Sequence, residues 1–323
     1  MNLIRRTSKT HIVDNSLRHS NNLPHPIPYQ GSKRLLADRI LGVVAGRRFK
    51  VLYEPFVGSG AITIASAARH IADEYRISDT LEPLIAVWRA ILNEPEVLAD
   101  AYERVWTEQL DGDGIAHFNR VRDDFNAGAP EPALLVYLLA RCVKNSPRFN
   151  KDGAFNQSPD KRRRGMRPSK MRNQIADVSA LLRGRARAVA QPFEQALTEA
   201  TPADLIYLDP PWQGTSSGRD RRYHEGLGRE RLELALADLH RSGVPVLLSY
   251  DGRCGDKTYG PPLPDGLGLV RLELHAGRSS QATLLGRADE TVESLYVSAS
   301  LLADPRPSAD AVPEQLALIE AAS

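Results

Sequence analysis

The sequence predicts an α/β fold, a mostly parallel sheet interrupted by a mostly helical insert. Three observations predict it. Short apolar runs read as buried strands, and in the first part of the chain they alternate with helix-period segments. A glycine-rich loop, Phe56-Val57-Gly58-Ser59-Gly60, joins a strand to a helix in the first such unit. From about residue 93 to 185 the strand pattern gives way to helical segments, and it resumes from about Ala186.

The elements follow in order. Residues 1–23 are polar and aperiodic and read as a loose arm. Pro24, Pro26 and Pro28 make an extended approach to Tyr29-Gln30-Gly31-Ser32-Lys33, and a helix pattern from about Lys33 carries Leu35, Leu36, Ile40 and Leu41. Residues 51–56 form the first strand and residues 61–70 a helix of small apolar residues. Residues 74–78 form a second strand ending at Asp79, and residues 82–92 a second helix. Strand, glycine loop, helix, strand and acid is the order of a mononucleotide-binding half of a parallel sheet. Helices at 97–106 and 133–143 mark the insert, 93–185, with polar, Gly- and Asp-rich connections. Strands return at 187–190, 205–208, 245–249, 269–274 and 294–300. The sheet domain is therefore expected over 24–92 plus 186–303, with a Pro- and Ala-rich tail at 304–323.

Composition narrows the function. Hydrophobic residues make up 42% and charged residues 25% of the 323, ordinary values for a soluble protein. The net charge is only +2, so a nucleic-acid surface has to come from local clustering. The two cysteines, Cys142 and Cys254, lie far apart without metal-ligand spacing and are expected as reduced thiols in the cytoplasm. No apolar run is long enough to span a membrane, and the N-terminus lacks the apolar core of a signal peptide. The histidines show no H-E-x-x-H spacing, and no metal is expected.

Four constellations carry chemistry. Asp209-Pro210-Pro211-Trp212 follows the apolar run 205–208. The carboxylate accepts a hydrogen bond from an amino group. The prolines fix φ and remove two backbone donors, which leaves the Pro210 carbonyl as a second acceptor. Trp212 offers a flat face for a planar ring. Together they suit an exocyclic amine on an aromatic base; a proline-rich turn is the plain structural alternative. Second, Gly58, Ser59 and Gly60 let a nucleoside-containing ligand approach the backbone, and Asp79, 19 residues after Gly60, is placed to accept ribose hydroxyls. The loop lacks the P-loop pattern, which argues against triphosphate hydrolysis. Third, Tyr29 can line a ligand pocket and Lys33 can bind a carboxylate, although a Ser32 helix cap followed by a solvated lysine fits this segment equally. Fourth, Lys161, Arg162, Arg163, Arg164, Arg167, Lys170 and Arg172 form a basic run without an acid from Lys161 to Ala176. Such a run neutralises phosphates. Arg148, Asn150, Asn156 and Gln157 just upstream supply the forked side chains that read guanine and adenine edges. His224 and Glu225, among Arg219, Arg221 and Arg222, read as a basic active-site lid.

In this order the motifs resemble the Dam-like, D12 class of adenine-specific DNA methyltransferases. The resemblance rests on residues 29–33, on Glu54-Pro55-Phe56-Val57-Gly58-Ser59-Gly60, on residues 78–85 around Asp79, on residues 148–156, and on Asp209-Pro210-Pro211-Trp212. Residues 244–249 and 278–280 are similar to later segments of that family. The resemblance implies a Rossmann-like methyltransferase sheet with an inserted target-recognition domain. It implies S-adenosylmethionine as methyl donor and the N6 of adenine in double-stranded DNA as acceptor. It carries cofactor contacts over to Tyr29, Lys33, Phe56, Gly58, Ser59, Gly60, Asp79, Phe193 and Asp209. DNA contacts are expected from Arg148, Asn150, Asn156, Lys161, Arg162, Arg163, Arg164, Arg167 and Lys170. Two departures matter: one residue more than usual before Pro159, and a more basic run after it. Methylation of RNA and a non-catalytic DNA-binding protein on the same fold remain alternatives. RNA enzymes with D-P-P-W place it before the glycine loop, whereas here it follows by about 150 residues. Cytosine and glutamine methylases are expected to carry Ser or Asn in place of Asp209. Monomeric action is expected in the cytoplasm of a prokaryote or phage-infected cell, at the nucleoid, and the class allows a cognate restriction endonuclease as partner.

Overall fold

The computed structural model describes residues 23–128, 131–211, 228–254, 257–278 and 290–303. Among the described residues eight strands form one sheet: β1 (Phe49–Glu54), β2 (Ala72–Asp79), β3 (Ala186–Ala190), β4 (Leu205–Leu208), β5 (Val246–Cys254), β6 (Lys257–Thr258), β7 (Leu269–Arg278) and β8 (Glu290–Ser298). Their order is β3-β2-β1-β4-β5-β8-β7, with β6 paired to β5. The pairs among β1 to β5 are parallel, and β8 runs antiparallel to both β5 and β7. The strand order reverses between β1 and β4. In open α/β sheets this switch point leaves a crevice at the carboxyl ends of the strands.

Alternating side chains feed two apolar layers. Leu52, Tyr75, Ile77, Leu205, Tyr207 and Leu247 join one core, and Val51, Tyr53, Ile206, Leu208, Val246 and Leu248 join the other. This explains why Leu205–Leu208 reads as an unbroken apolar run: it is buried on both faces. The first core is covered by α1 (Ala37–Gly42), α2 (Ala61–Ala68) and α3 (Glu82–Asn93), and by α4 (Pro95–Glu108), α5 (Gly114–Ala127), α6 (Pro132–Arg141) and α7 (Pro168–Leu182). Buried residues of α4 to α7, among them Tyr102, Phe118, Leu138 and Ile175, are continuous with those of α2 and α3. The second core is closed by α8 (Phe193–Ala196) and α9 (Arg229–Arg241), and α10 (Ala299–Leu302) follows β8.

The structure shifts several expected boundaries. β1 ends at Glu54, because Pro55 has no N–H to continue the ladder. The helix after the glycine loop stops at Ala68, and His70 takes a left-handed φ of 55°. The expected last strand, 294–300, begins at Glu290 and gives way to α10 after Ser298. The helix expected from Lys33 starts as a 3-10 turn, Lys33–Leu35, which leaves Leu35 64% exposed while Leu36, Ile40 and Leu41 are buried. The basic segment after Arg167 continues into α7, which buries Met171, Ile175, Val178 and Leu182 at helical spacing.

Gly60 connects the loop to α2 at φ 63°, and a Cβ there would stand 2.4 Å from Cζ2 of the Trp88 ring. Gly60→Ala is therefore expected to lower the unfolding free energy by about 2–4 kcal/mol, the sum of left-handed strain and overpacking. Urea unfolding checks this, and a midpoint equal to that of the parent would show that the loop tolerates a side chain.

Candidate active site

The crevice edge is built from strand ends. β1 delivers Glu54, whose buried carboxylate accepts the Thr63 backbone N–H at 2.8 Å. Burial pushes its pKa up to about 8, against the opposing pull of the Thr63 hydrogen bonds. The chain then turns through Val57, Gly58 and Gly60. Gly60 N–H donates to the Val57 carbonyl at 2.6 Å, and Val57 N–H to Ser78 on β2 at 3.0 Å. Trp88 Nε1 of α3 donates to the Gly58 carbonyl at 3.1 Å. Gly58, at φ 46°, lies under the Tyr29 ring, and a Cβ there would meet that ring at 3.6 Å. Ser59 Oγ donates to Ser32 Oγ at 2.8 Å, which fastens the N-terminal segment across the loop.

Next to it, β2 delivers Asp79. Its carboxylate accepts Leu81 N–H at 3.1 Å and Gly58 N–H at 3.5 Å. Among the described residues Asp79 has no ion pair. Burial raises it to about 6, while the N–H groups of Leu81, Gly58 and Thr80 pull the other way. Phe193, at the start of α8 just beyond β3, brings its ring 5.3 Å from that of Phe56.

β4 delivers Asp209. Lys33 Nζ reaches its Oδ1 at 3.0 Å and Oε2 of Glu293, on β8, at 3.4 Å. The three side chains are 7%, 21% and 16% exposed for Lys33, Asp209 and Glu293. Burial alone would lower the Lys33 pKa, but Asp209 and Glu293 outweigh it and hold the ammonium charged. Asp209 is pushed up to about 6 by burial, opposed by Lys33 and reinforced by Glu293. Beneath it the Tyr207 and Ser249 hydroxyls share a hydrogen bond of 2.9 Å. Pro210 is buried and Pro211 half-buried behind Asp209. Trp212 lies outside the described residues, as do Arg219, Arg221, Arg222, His224 and Glu225.

The residues expected at the DNA are placed on and beside a hairpin closed by a Phe149–Phe155 bridge. Asn150 is committed to the turn: its Oδ1 accepts the N–H groups of Asp152 and Ala154, each at 2.9 Å. Gln157 is buried, with its amide bonded to the Ser146 carbonyl and the Ser158 N–H. Arg148 is half-buried and Asn156 exposed. Asp160, an acid immediately before the basic run, gathers Arg162 and Arg163, with Arg163 Nε at 2.9 Å. Its pKa is lowered, first by the Arg162 N–H. Arg172 pairs at the surface with Glu96, Asp100 and Glu103 of α4. Lys161, Arg164, Arg167 and Lys170 are exposed.

Sequence reasoning assigned no role to Glu54, Trp88 or Glu293. Glu54 stands inside the glycine motif, so its signal was local. The other two approach the site only through tertiary packing.

The edge fits a nucleoside sulfonium. Among the described residues Asp79 is an acid without a cation, and it suits hydroxyl donors. The Phe56 and Phe193 rings suit a purine. One ammonium shared by two carboxylates leaves a net negative charge, which suits a cationic sulfur.

The raised acids also make stability depend on pH. Glu54 goes from an ordinary 4.5 to about 8, so between those values the folded chain holds a proton that the unfolded chain has released. The contribution is full below pH 4.5 and is lost as pH rises through 8. Glu54→Gln keeps an acceptor for Thr63 and removes the ionisation. It is expected to be more stable than the parent above pH 8 and to show a flatter stability profile from 4.5 to 8. Identical profiles in urea titrations across that range would exclude a buried, proton-holding Glu54.

A family model described as D12 class N6 adenine-specific DNA methyltransferase matches residues 29–265. The chain is 26% identical over 217 residues to the DNA N-6-adenine-methyltransferase of Escherichia phage P1, which covers 63% of this chain but only 27% of that protein. It is 28% identical over 207 residues to the retron Ec67 DNA adenine methylase of Escherichia coli, covering 61% of this chain and 67% of that one. To the type II methyltransferase M.MjaIII of Methanocaldococcus jannaschii it is 27% identical over 214 residues, covering 62% and 73%. The family match begins at Tyr29 and runs through the glycine loop, Asp79, the helical segment and Asp209, and on that ground the chain belongs to the D12 class N6 adenine-specific DNA methyltransferase family.

Proposed function

We propose that the protein transfers a methyl group from S-adenosylmethionine to the N6 amine of a specific adenine in duplex DNA. The observation that carries this reading is Asp209, a largely buried carboxylate at the end of β4 in the crevice that also holds Asp79 and the glycine loop. When bound, S-adenosylmethionine supplies an electrophilic methyl group on a positively charged sulfur. The residues of the chain do the rest. Asp79 accepts the ribose hydroxyls, and Phe56 and Phe193 flank the purine. Lys33 holds Oδ1 of Asp209, which leaves Oδ2 to accept a hydrogen bond from the target amine.

The amine of adenine is a poor nucleophile because its lone pair is delocalised into the ring. The Asp209 carboxylate and the Pro210 carbonyl accept its two N–H bonds, turn the lone pair toward the methyl group, and stabilise the positive charge that develops on nitrogen. The base has to leave the duplex to reach them, and stacking on Trp212 offsets part of the unstacking cost. An Asp in this place, where cytosine and glutamine methylases are expected to carry Ser or Asn, favours adenine.

The 93–185 segment serves as the target-recognition region. Lys161, Arg164, Arg167 and Lys170 contact phosphates, and Arg148 and Asn156 reach base edges. One relative is named a type II methyltransferase, and by that likeness we extend the proposal to a cognate restriction endonuclease as partner. Action as a monomer in the prokaryotic cytoplasm completes the reading. Among the described residues no helix is long and apolar enough to cross a membrane.

Transfer of labelled methyl from S-adenosylmethionine to duplex DNA, with RNA as the competing acceptor, tests the assignment. Label in N6-methyladenine of DNA is expected; label confined to RNA would replace this reading with the RNA one. Asp209→Ala is expected to abolish transfer while the protein still folds, and near-parental activity in that variant would sink the mechanism. Replacing Lys161, Arg164 and Lys170 together by Ala is expected to reduce the salt dependence of DNA binding by about 0.9 in log–log slope for each phosphate that is no longer neutralised. An unchanged slope would remove these residues from the interface.

A further inference from the structure

The family match ends at residue 265, yet a side chain beyond it stands in the site. β8 runs antiparallel to β5, so its first residues come to the edge where the parallel strands end. The register is held by a bulge between Ser249 and Gly252 that places Glu293 opposite Gly252. Asp251, in the bulge at φ 53°, is pinned by the Tyr296 hydroxyl at 2.5 Å and paired with Arg271 at 3.6 Å. Glu293 is thus set on a fixed strand, 3.4 Å from the ammonium that also holds Asp209.

We propose that Glu293 is a positioning residue for methyl transfer, holding Lys33 against Asp209 and giving the trio its net negative charge. This rests on the reading of Asp209 as the acceptor of the target amine. The ammonium donates to the Gly31 carbonyl at 3.4 Å and is ion-paired with Asp209 at 3.0 Å and with Glu293 at 3.4 Å. With Asp209 alone, the lysine would neutralise the acid and weaken it as an acceptor. A second carboxylate shares the cation, keeps Asp209 electron-rich, and leaves one negative charge beside the place where the sulfonium and the developing ammonium must stand. In this partly buried site such a charge acts at higher strength than in water. Among the described residues, the charged and titratable groups facing Asp209 are Lys33, Glu293, Glu54 on β1 and Tyr207 on β4.

The test uses the full chain with Glu293→Gln and Glu293→Asp. S-adenosylmethionine and S-adenosylhomocysteine differ at sulfur by one methyl and one positive charge, so calorimetric affinities for the two report the local charge without any turnover. Glu293→Gln is expected to lose preference for the sulfonium by about tenfold, equivalent to about 1.4 kcal/mol. Its kcat falls more than KM for DNA rises, and the acid limb of its kcat profile moves to lower pH, because Asp209 loses a neighbour that raises its pKa. Glu293→Asp keeps the charge and is expected to retain the preference and the acid limb. A Glu293→Gln protein with the parental preference and acid limb would overturn the proposal, as would equal losses of kcat in both variants with the preference unchanged. A parent protein that binds S-adenosylmethionine but leaves adenine unmethylated would overturn the assigned activity instead, so the two failures are told apart.

Discussion

A buried ammonium needs acceptors, and Lys33 dictates where three distant parts of the chain must meet. It is 7% exposed and lies between Asp209 and Glu293. Either carboxylate alone still compensates the ammonium, and only the loss of both would leave it buried without a counter-charge. The N-terminal segment, the end of β4 and the start of β8 are therefore held to one another electrostatically. Other features of the edge follow from this. With Lys33 fixed, Ser32 meets Ser59 and Tyr29 covers Gly58, so the glycine loop is closed from above by a segment that precedes it by only a few dozen residues.

The charge balance at the edge runs against stability. Glu54, Asp79 and Asp209 are all raised by burial, and one lysine serves two of the nearby acids. A chain selected for stability alone would replace such acids with neutral or apolar groups. Their concentration at the carboxyl ends of parallel strands is what a ligand with a positive sulfur and hydroxyl donors would relieve. The topology makes this possible, since β1 and β2 each end in an acid, β4 is followed directly by Asp209 at the same edge, and the reversed strand β8 adds one from the other direction.

What was legible in the sequence was what lies next to its own strand. Asp79, Asp209 and the glycine loop each sit within a few residues of an apolar run, so position along the chain is nearly position in space. Glu293 stands 84 residues after Asp209 in an alternating strand, and nothing local distinguishes it from a solvent-facing acid. Trp88 reads as one more apolar residue of α3, although its ring fills the space that makes Gly60 a glycine. The partners of the basic run are not visible in a count of charge along the chain: Asp160 just before it and three acids on α4 engage Arg162, Arg163 and Arg172. Helices α5 and α7 went unread because their apolar positions are diluted by Arg, Asp, Asn and Lys, and only packing against α6, α3 and α4 selects the buried stripe.

The same Tyr29 segment that Lys33 anchors also joins the sheet to the helical part. Gln30 N–H donates to the Asn145 carbonyl at 2.9 Å, and Asn145 Nδ2 donates to the Leu139 carbonyl at the end of α6 at 2.8 Å. Lys144 and Asn145 both take left-handed φ, 59° and 52°, a conformation that asparagine tolerates but that costs about 1–2 kcal/mol at Lys144. Arg163 reaches the Cys142 carbonyl at 3.4 Å from the other side and carries the link on to Asp160 and the basic run. A strained turn persists only where its surroundings over-determine it. Here the surroundings are the crevice on one side and the basic segment on the other. A displacement of either is therefore felt at the turn, and the distance from the exposed cations to Asp209 is set by hydrogen bonds and a shared apolar core rather than by a free linker.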